Sequence, residues 1–179
     1  MKDHGEKRGY VQVYTGECKG KTTAALGLAF RAAGHGLKTY IGQFMKGQEY
    51  GELKSAQMME PLITIEQYGK ESMVDPGVLP ETANVIMAKA GLDLCKKAML
   101  SGSYDIVVFD EICYACFFRL INLKEIIEVI KAKPPAVEVI LTGRYAPKEL
   151  IALADLVTEM KEVKHYFRDG VMAREGIEN

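Results

Sequence analysis

The alternation of apolar and polar positions divides the chain into short runs with strand period and longer runs with helix period. Residues 10–14 read Tyr-Val-Gln-Val-Tyr, a strict alternation. They lead through a Gly/Lys-rich turn into residues 22–33, where Ala24, Ala25, Leu26, Leu28, Ala29, Phe30, Ala32 and Ala33 make a helix apolar around most of its circumference, expected to pack between sheet and neighbours. Gly34 and Gly36 stop it, and 38–44 reads as a second strand. A short helix over 52–59, a third strand over 63–67 and a Gly/Pro-punctuated loop over 68–78 follow. Apolar Val85, Ala88, Leu92, Cys95 and Met99 recur at spacings of three and four, which predicts an amphipathic helix over 80–100.

Ile106-Val107-Val108-Phe109 is a buried-strand run that ends on Asp110 and Glu111. Residues 113–120 read as helical, and Asn122 with Glu125 three positions on is the capping box of the next helix, which Pro134-Pro135 breaks. Residues 137–141 form another buried strand, Pro147 opens a helix to Ala154, and 156–160 is the last strand. Strand and helix alternate throughout without a repeat. The expected fold is α/β, a doubly wound and mainly parallel sheet of the P-loop NTPase-like (RecA-like) kind, with helices on both faces and the Gly/Lys turn near its middle.

With 179 residues, 48% hydrophobic and 26% charged, the chain suits one domain over 1–179, with residues 1–8 a charged arm lacking period. Lys and Arg number 23 against 24 Asp and Glu, so no electrostatic footprint for nucleic acid or an anionic membrane is present. No apolar run is long enough to cross a bilayer and the start lacks the apolar core of a signal peptide, which points to the cytoplasm. Four cysteines form no disulfide framework; Cys113-Tyr114-Ala115-Cys116 lacks the second pair a zinc site needs and reads as helix packing. His35 and His165 have no metal-spaced partner and read as hydrogen-bonded structural histidines.

The turn Thr15-Gly16-Glu17-Cys18-Lys19-Gly20-Lys21-Thr22-Thr23, between strand and helix, has the makings of a phosphate-binding loop. Its N–H groups and the positive end of the following helix would cradle polyphosphate, Lys21 would add a point charge, and Thr22 would place a hydroxyl on magnesium. The usual spacing asks for glycine where Thr15 stands. Asp110 and Glu111 supply the carboxylates that position the metal opposite that hydroxyl. Beyond the carboxyl ends of neighbouring strands, Gln43 and Lys46 are candidate site residues or a polar loop exit, and Arg144 is a phosphate clamp or a surface ion-pair residue.

The loop is similar to the T-G-N-G-K-G-K-T-T-A-A loop of the ATP:corrinoid adenosyltransferases of the CobA/CobO/BtuR type, in which threonine at the first position is a family trait. The similarity continues through Arg31-Ala32-Ala33-Gly34-His35-Gly36, Gln43-Phe44-Met45-Lys46-Gly47, Val108-Phe109-Asp110-Glu111, Leu141-Thr142-Gly143-Arg144, Val163-Lys164-His165 and Gly176-Ile177-Glu178. The resemblance implies transfer of the 5′-deoxyadenosyl group of ATP to the Co(I) of a reduced corrinoid, with triphosphate released and no protein nucleophile. It implies magnesium held by Thr22 and Glu111, catalytic roles for Lys21, Asp110 and Glu111, and ATP contacts from Gly16 through Thr23 with Gln43, Lys46 and Arg144. It further implies ATP bound reversed relative to kinases, a flavoprotein electron donor and a homodimer.

The chain departs from the family at Glu17 and Cys18, where the common loop has Asn and Gly, a change expected to put a carboxylate near phosphate. It has no tryptophan for the lower face of the corrinoid, and its arm is short. In the loop after the third strand, Tyr68 and Met73 are the large residues with apolar surface; they either take the tryptophan's place or, for Tyr68, finish the strand against the core. Two other readings of the residues stay open: a P-loop kinase or ATPase, and an ATP-binding module without catalysis.

Overall fold

The computed structural model describes residues 8–70 and 82–178. In chain order the elements are β1 (Val11–Thr15), α1 (Lys21–Ala33), β2 (Thr39–Phe44), α2 (Gly51–Met58), β3 (Ile63–Tyr68), α3 (Thr82–Leu100), β4 (Ile106–Asp110), α4 (Ile112–Phe117), α5 (Leu123–Lys131), β5 (Glu138–Thr142), α6 (Lys148–Leu153) and β6 (Leu156–Glu159). A 3-10 turn, Tyr166–Asp169, follows β6.

The strands form one sheet in the order β3-β2-β4-β5-β1-β6, and every pairing is parallel. All carboxyl ends therefore lie at one edge, and β5, inserted between β1 and β4, separates the Gly/Lys turn from Asp110. The turn was expected near the middle of the sheet. It leaves β1 second from the edge instead, because β6 adds only one short strand outside it.

Strand alternation sorts side chains to two cores. Val13, Val107, Phe109, Val139 and Leu141 pack with Leu92 and Met99 of α3, Ile112 of α4, Ile126 of α5 and Leu150 of α6. Tyr14, Ile41, Val108 and Ile140 face the other way and pack against Ala25, Ala29, Ala32 and Ala33 of α1 and Ala56 of α2. The alanines let α1 lie close to the sheet. Only that face of α1 is buried, however. Phe30 is 68% exposed, so the helix is not packed all round as its composition suggested.

β3 runs one residue further than its pattern indicated, and Tyr68 closes it opposite Phe44 rather than opening the loop. Its ring is buried on the α3 side, where Gly91 makes room: a Cβ there would stand 2.4 Å from Tyr68 ring atoms. Its hydroxyl donates to Glu66 Oε2 at 2.7 Å and forms a short hydrogen bond with the hydroxyl of Tyr40. Met73 lies outside the described residues.

The capping box of α5 forms as its sequence indicates. Asn122 accepts from the Lys124 N–H at 2.9 Å, and Glu125 accepts from the Asn122 N–H at 3.0 Å. Asn122→Ala removes one of these reciprocal bonds at a helix whose Ile126, Val129 and Ile130 are buried. It should cost about 1 kcal/mol, a fall in Tm of roughly 2–4 °C by thermal unfolding, with the sheet unchanged by circular dichroism.

Candidate functional site

β1 ends on Thr15, whose buried hydroxyl accepts from the Ala146 N–H at 3.3 Å and so ties the turn to the chain leaving β5. The conformations that demand glycine fall one residue later. Gly16 has φ 101° and Gly20 φ 122°, and a Cβ at Gly16 would stand 2.4 Å from the Met160 carbonyl. Threonine at position 15 therefore strains nothing. Gly20 caps α1 without a side-chain bond and no acidic residue occupies its first turn, which leaves the positive helix end open to an anion.

Lys21 is 5% exposed, and its Nζ donates to the carbonyls of Gly16 and Cys18, both at 2.8 Å. Burial holds its pKa below the ordinary lysine range, against the opposing pull of Glu111. The ammonium is thus stored on the carbonyls of its own loop, in position to be drawn by phosphate.

Asp110, fully buried at the end of β4, collects four donors, one of them the Gln43 amide, which reaches its Oδ2 at 3.4 Å. Thr22 Oγ1 and Thr142 Oγ1 reach its Oδ1 at 2.9 and 2.7 Å, and Lys46 Nζ reaches its Oδ2 at 2.9 Å. Burial disfavours the charge on Lys46, but the charge and hydrogen bond of Asp110 outweigh it, with Glu52 and Glu111 adding, so its pKa is raised. Opposed charges with further hydrogen bonds are the arrangement in which a buried pair is tolerated.

Glu111 adopts φ 63°, uncommon for a residue with a side chain, while its N–H donates to Thr142 Oγ1 at 2.8 Å. The twist turns its carboxylate into the cavity, where it accepts no hydrogen bond from a described residue. Burial first, and then the charge of Asp110, raise its pKa; Lys21, Lys46 and Arg144 offset this only in part.

The cavity holds about 680 Å³. Cys18, Lys19, Gly20, Lys21, Thr22 and Thr23 line one side, with Lys46, Glu111 and Arg144 at the strand ends. Leu26 and Phe30 of α1, Ala56 and Met59 at α2, and Ile63 and Ile65 of β3 make an apolar wing.

Several expectations are corrected. Gln43 is fully buried and does not line the cavity; its amide donates to Glu52 at 3.0 Å and accepts from Gln67 at 3.1 Å, so it steadies the floor. Glu17 is exposed and outside the lining, and therefore brings no carboxylate into the cavity. Gly16 likewise contributes a carbonyl to Lys21 and no cavity wall. Tyr68 points to the opposite face of the sheet from the cavity and finishes its strand against the core, the other of the two readings its sequence allowed. Thr22 donates to Asp110 rather than standing free beside Glu111, because β4 ends with Asp110 facing α1.

The residues alone did not point to Glu52, the apolar wing, His165 or Ile177 and Glu178, which all line the cavity. His165 does make a structural bond, its Nδ1 accepting from the Phe167 N–H at 3.1 Å. The tripeptides ending at His165 and at Glu178 carried the signal.

The glycine loop on β1, the uncapped helix after it and a buried carboxylate on a strand one removed define a P-loop nucleotide-binding protein. The chain belongs to the family ATP:corrinoid adenosyltransferase BtuR/CobO/CobP, whose sequence model matches residues 7–179. It is 37% identical over 182 residues to the corrinoid adenosyltransferase CobA of Salmonella typhimurium, covering 97% of this chain and 87% of that protein. The corrinoid adenosyltransferase of Escherichia coli K12 is 35% identical with the same coverage. A KaiC-like protein of Pyrococcus horikoshii shares the fold at 18% identity, with a TM-score of 0.56 over 88% of this chain and 75% of that one.

The raised pKa of Glu111 carries a stability sign. An acid whose pKa rises on folding costs stability wherever it is ionised, and costs nothing below its unfolded pKa of roughly 4.3. Glu111→Gln should therefore raise the Tm of the ligand-free protein at pH 7–8 by on the order of 2–4 °C, a gain that fades near pH 4. The same variant tests whether Glu111 holds a metal: with the magnesium site proposed below, it should raise the magnesium requirement for ATP binding. Melting curves across pH and a magnesium titration check both.

Proposed function

We propose that this protein transfers the 5′-deoxyadenosyl group of ATP to the Co(I) centre of a reduced corrinoid and releases triphosphate. The observation that carries the reading is the cationic loop with its stored Lys21, lining a cavity that also has an apolar wing. The cobalt lone pair forms the bond to C5′, the C5′–O bond breaks, and its electrons leave on the triphosphate while cobalt goes formally from Co(I) to Co(III). No protein nucleophile is needed, so the chain's task is to hold geometry and to stabilise charge on the leaving group. Lys21, Lys19, the loop N–H groups and Arg144 do the second.

Magnesium fits the donor set. It takes oxygen ligands and commonly one or two carboxylates completed by substrate phosphates. Among the described residues no group of three His, Cys, Asp or Glu forms a metal cage, which suits an ion that arrives with ATP. Glu111, free in the cavity, and the Thr22 hydroxyl would hold it, and when bound it would neutralise triphosphate charge. Asp110 orients Thr22 from below.

For the acceptor we propose an apolar shelf after Arg144. Tyr145, at φ 56°, packs against Phe117 with ring centroids 4.5 Å apart and the ring planes tilted by 40°, and the two are 44% and 52% exposed. The flat lower face of a corrin would lie there, in place of the role first expected of Tyr68. A cob(I)yrinic acid a,c-diamide type of acceptor, a flavoprotein reductant for Co(I), action as a homodimer and a cytoplasmic site complete the proposal. Among the described residues no helix is long and apolar enough to cross a membrane.

Phosphorus analysis of the products separates the readings. Triphosphate supports adenosyl transfer, ADP with phosphate a kinase or ATPase, and neither a binding module. Lys21→Ala should lower corrinoid adenosylation by about a hundred-fold or more, as for loss of a donor to developing charge. Tyr145→Ala and Phe117→Ala should raise the KM for corrinoid by roughly ten-fold and leave ATP affinity unchanged, read by the corrin spectrum under anaerobic turnover.

A further inference from the structure

Thr142 closes β5 with a side chain that is fully buried yet lines no part of the cavity. Register explains its place. β4 and β5 run parallel with Phe109 beside Leu141, so the next residues, Asp110 and Thr142, lie side by side on the face that Val108 and Ile140 occupy two positions earlier. Gly143 then carries the chain off at φ 134°, and a Cβ there would stand 2.8 Å from the Tyr114 nitrogen and 3.0 Å from the Cys113 Cβ. Glycine thus lets the end of β5 pass against the first turn of α4, which brings the Thr142 hydroxyl to the backbone of Glu111.

A threonine hydroxyl has one proton to give and lone pairs to receive. Both are committed here. The proton goes to Asp110 Oδ1 at 2.7 Å, and the Glu111 N–H donates to the Thr142 oxygen at 2.8 Å. Asp110 Oδ1 also accepts from Thr22 Oγ1 at 2.9 Å. Thr22 and Glu111 are therefore both tied to one hydroxyl, the first through a shared carboxylate oxygen and the second through its own backbone. Glu111 needs that tie, because at φ 63° it holds a conformation that disfavours side chains and that only its surroundings can impose.

We propose that Thr142 is a positioning residue for the metal: its hydroxyl sets the separation between the Thr22 hydroxyl and the Glu111 carboxylate, the two groups that would hold magnesium. The inference rests on the magnesium site of the proposed function. Without an acceptor for its N–H, Glu111 is free to relax toward negative φ and carry its carboxylate away from Thr22. Valine reproduces the shape of threonine but offers neither the proton nor the lone pair, whereas serine keeps both. Groups that orient metal ligands from behind cost roughly 10–100-fold in metal affinity when removed.

The test measures dissociation constants of ATP by calorimetry, once with magnesium and once in EDTA. It compares the wild-type protein with Thr142→Val, Thr142→Ser, Glu111→Gln and the double variant Thr142→Val/Glu111→Gln, with folding followed by melting. Valine should raise the constant in magnesium about ten-fold or more and leave that in EDTA within about two-fold, and serine should restore the wild-type constants to within about three-fold. Since Thr142 acts in part through Glu111, the double variant should fall well short of the product of the two single effects. A folded valine variant that binds magnesium–ATP normally, a serine variant as weak as valine, equal losses with and without magnesium, or single effects that multiply would each overturn the proposal. Should valine fail to fold, Thr142→Ala is read in its place by the same criteria. Glu111→Gln with an unmoved constant in magnesium sinks the metal site itself and this role with it, and no binding of ATP by the wild-type protein sinks the nucleotide site as well. Failure confined to the Thr142 variants leaves both sites standing.

Discussion

The carboxylate of Asp110 is the constraint on which the rest of the site depends. It is buried at the end of β4 and is reached by Thr22 from α1, Thr142 from β5 and Lys46 from beyond β2. Three segments far apart in sequence are thereby pinned to one atom group at one edge of the sheet. Removing one partner of such a buried pair costs roughly 3–5 kcal/mol, because the other charge is left without compensation. The position of Lys46, the rotamer of Thr22 and the turn into α4 are consequences of satisfying that single acid.

Its neighbour Glu111 shows the opposite economy. It stands in a left-handed conformation, its pKa raised by burial and by Asp110, with its carboxylate left in the cavity. Local strain and unsatisfied charge are kept only where the surroundings enforce them, and here the enforcing bond is Thr142 on the Glu111 N–H. Lys21 is held in the same poised state, its charge disfavoured by burial and resting on two backbone carbonyls. Cation and anion thus both stand in surroundings that disfavour their charge.

The parallel sheet turns this chemistry into direction. β5 separates the loop from the carboxylate strand, so a groove opens between them, and β6 closes the loop's outer side. The chain after β6 then fills that side with Ile177 and Glu178, while small residues on the sheet face of α1 leave Leu26 and Phe30 to line the far wing. One end of the cavity is polar and braced and the other is apolar and open. The family is that of the ATP:corrinoid adenosyltransferases, and the cavity offers it cations at the loop and apolar side chains at the wing.

The alternation of strands and helices, the loop from Gly16 to Thr22, the paired acids after Phe109 and the capping box at Asn122 are all legible in the order of residues. Each of these is a local matter of period, turn conformation or a bond between residues three apart. Which side of the sheet a strand-end residue faces, and what lies across the gap from it, depends on how the elements pack. Tyr68 is a plausible loop aromatic in the sequence, but one further residue of strand sends its ring to the α3 face against Gly91. Gln43 reads as a ligand contact until Glu52 and Gln67 are seen to enclose it, and Thr22 pairs with Asp110 rather than Glu111 because Asp110, the last residue of β4, faces α1, while Glu111, past the strand end at φ 63°, turns separately into the cavity. Glu178 reaches Lys19 across 159 residues of chain. No period or spacing encodes such a contact, since it exists only once β6 has been laid beside β1.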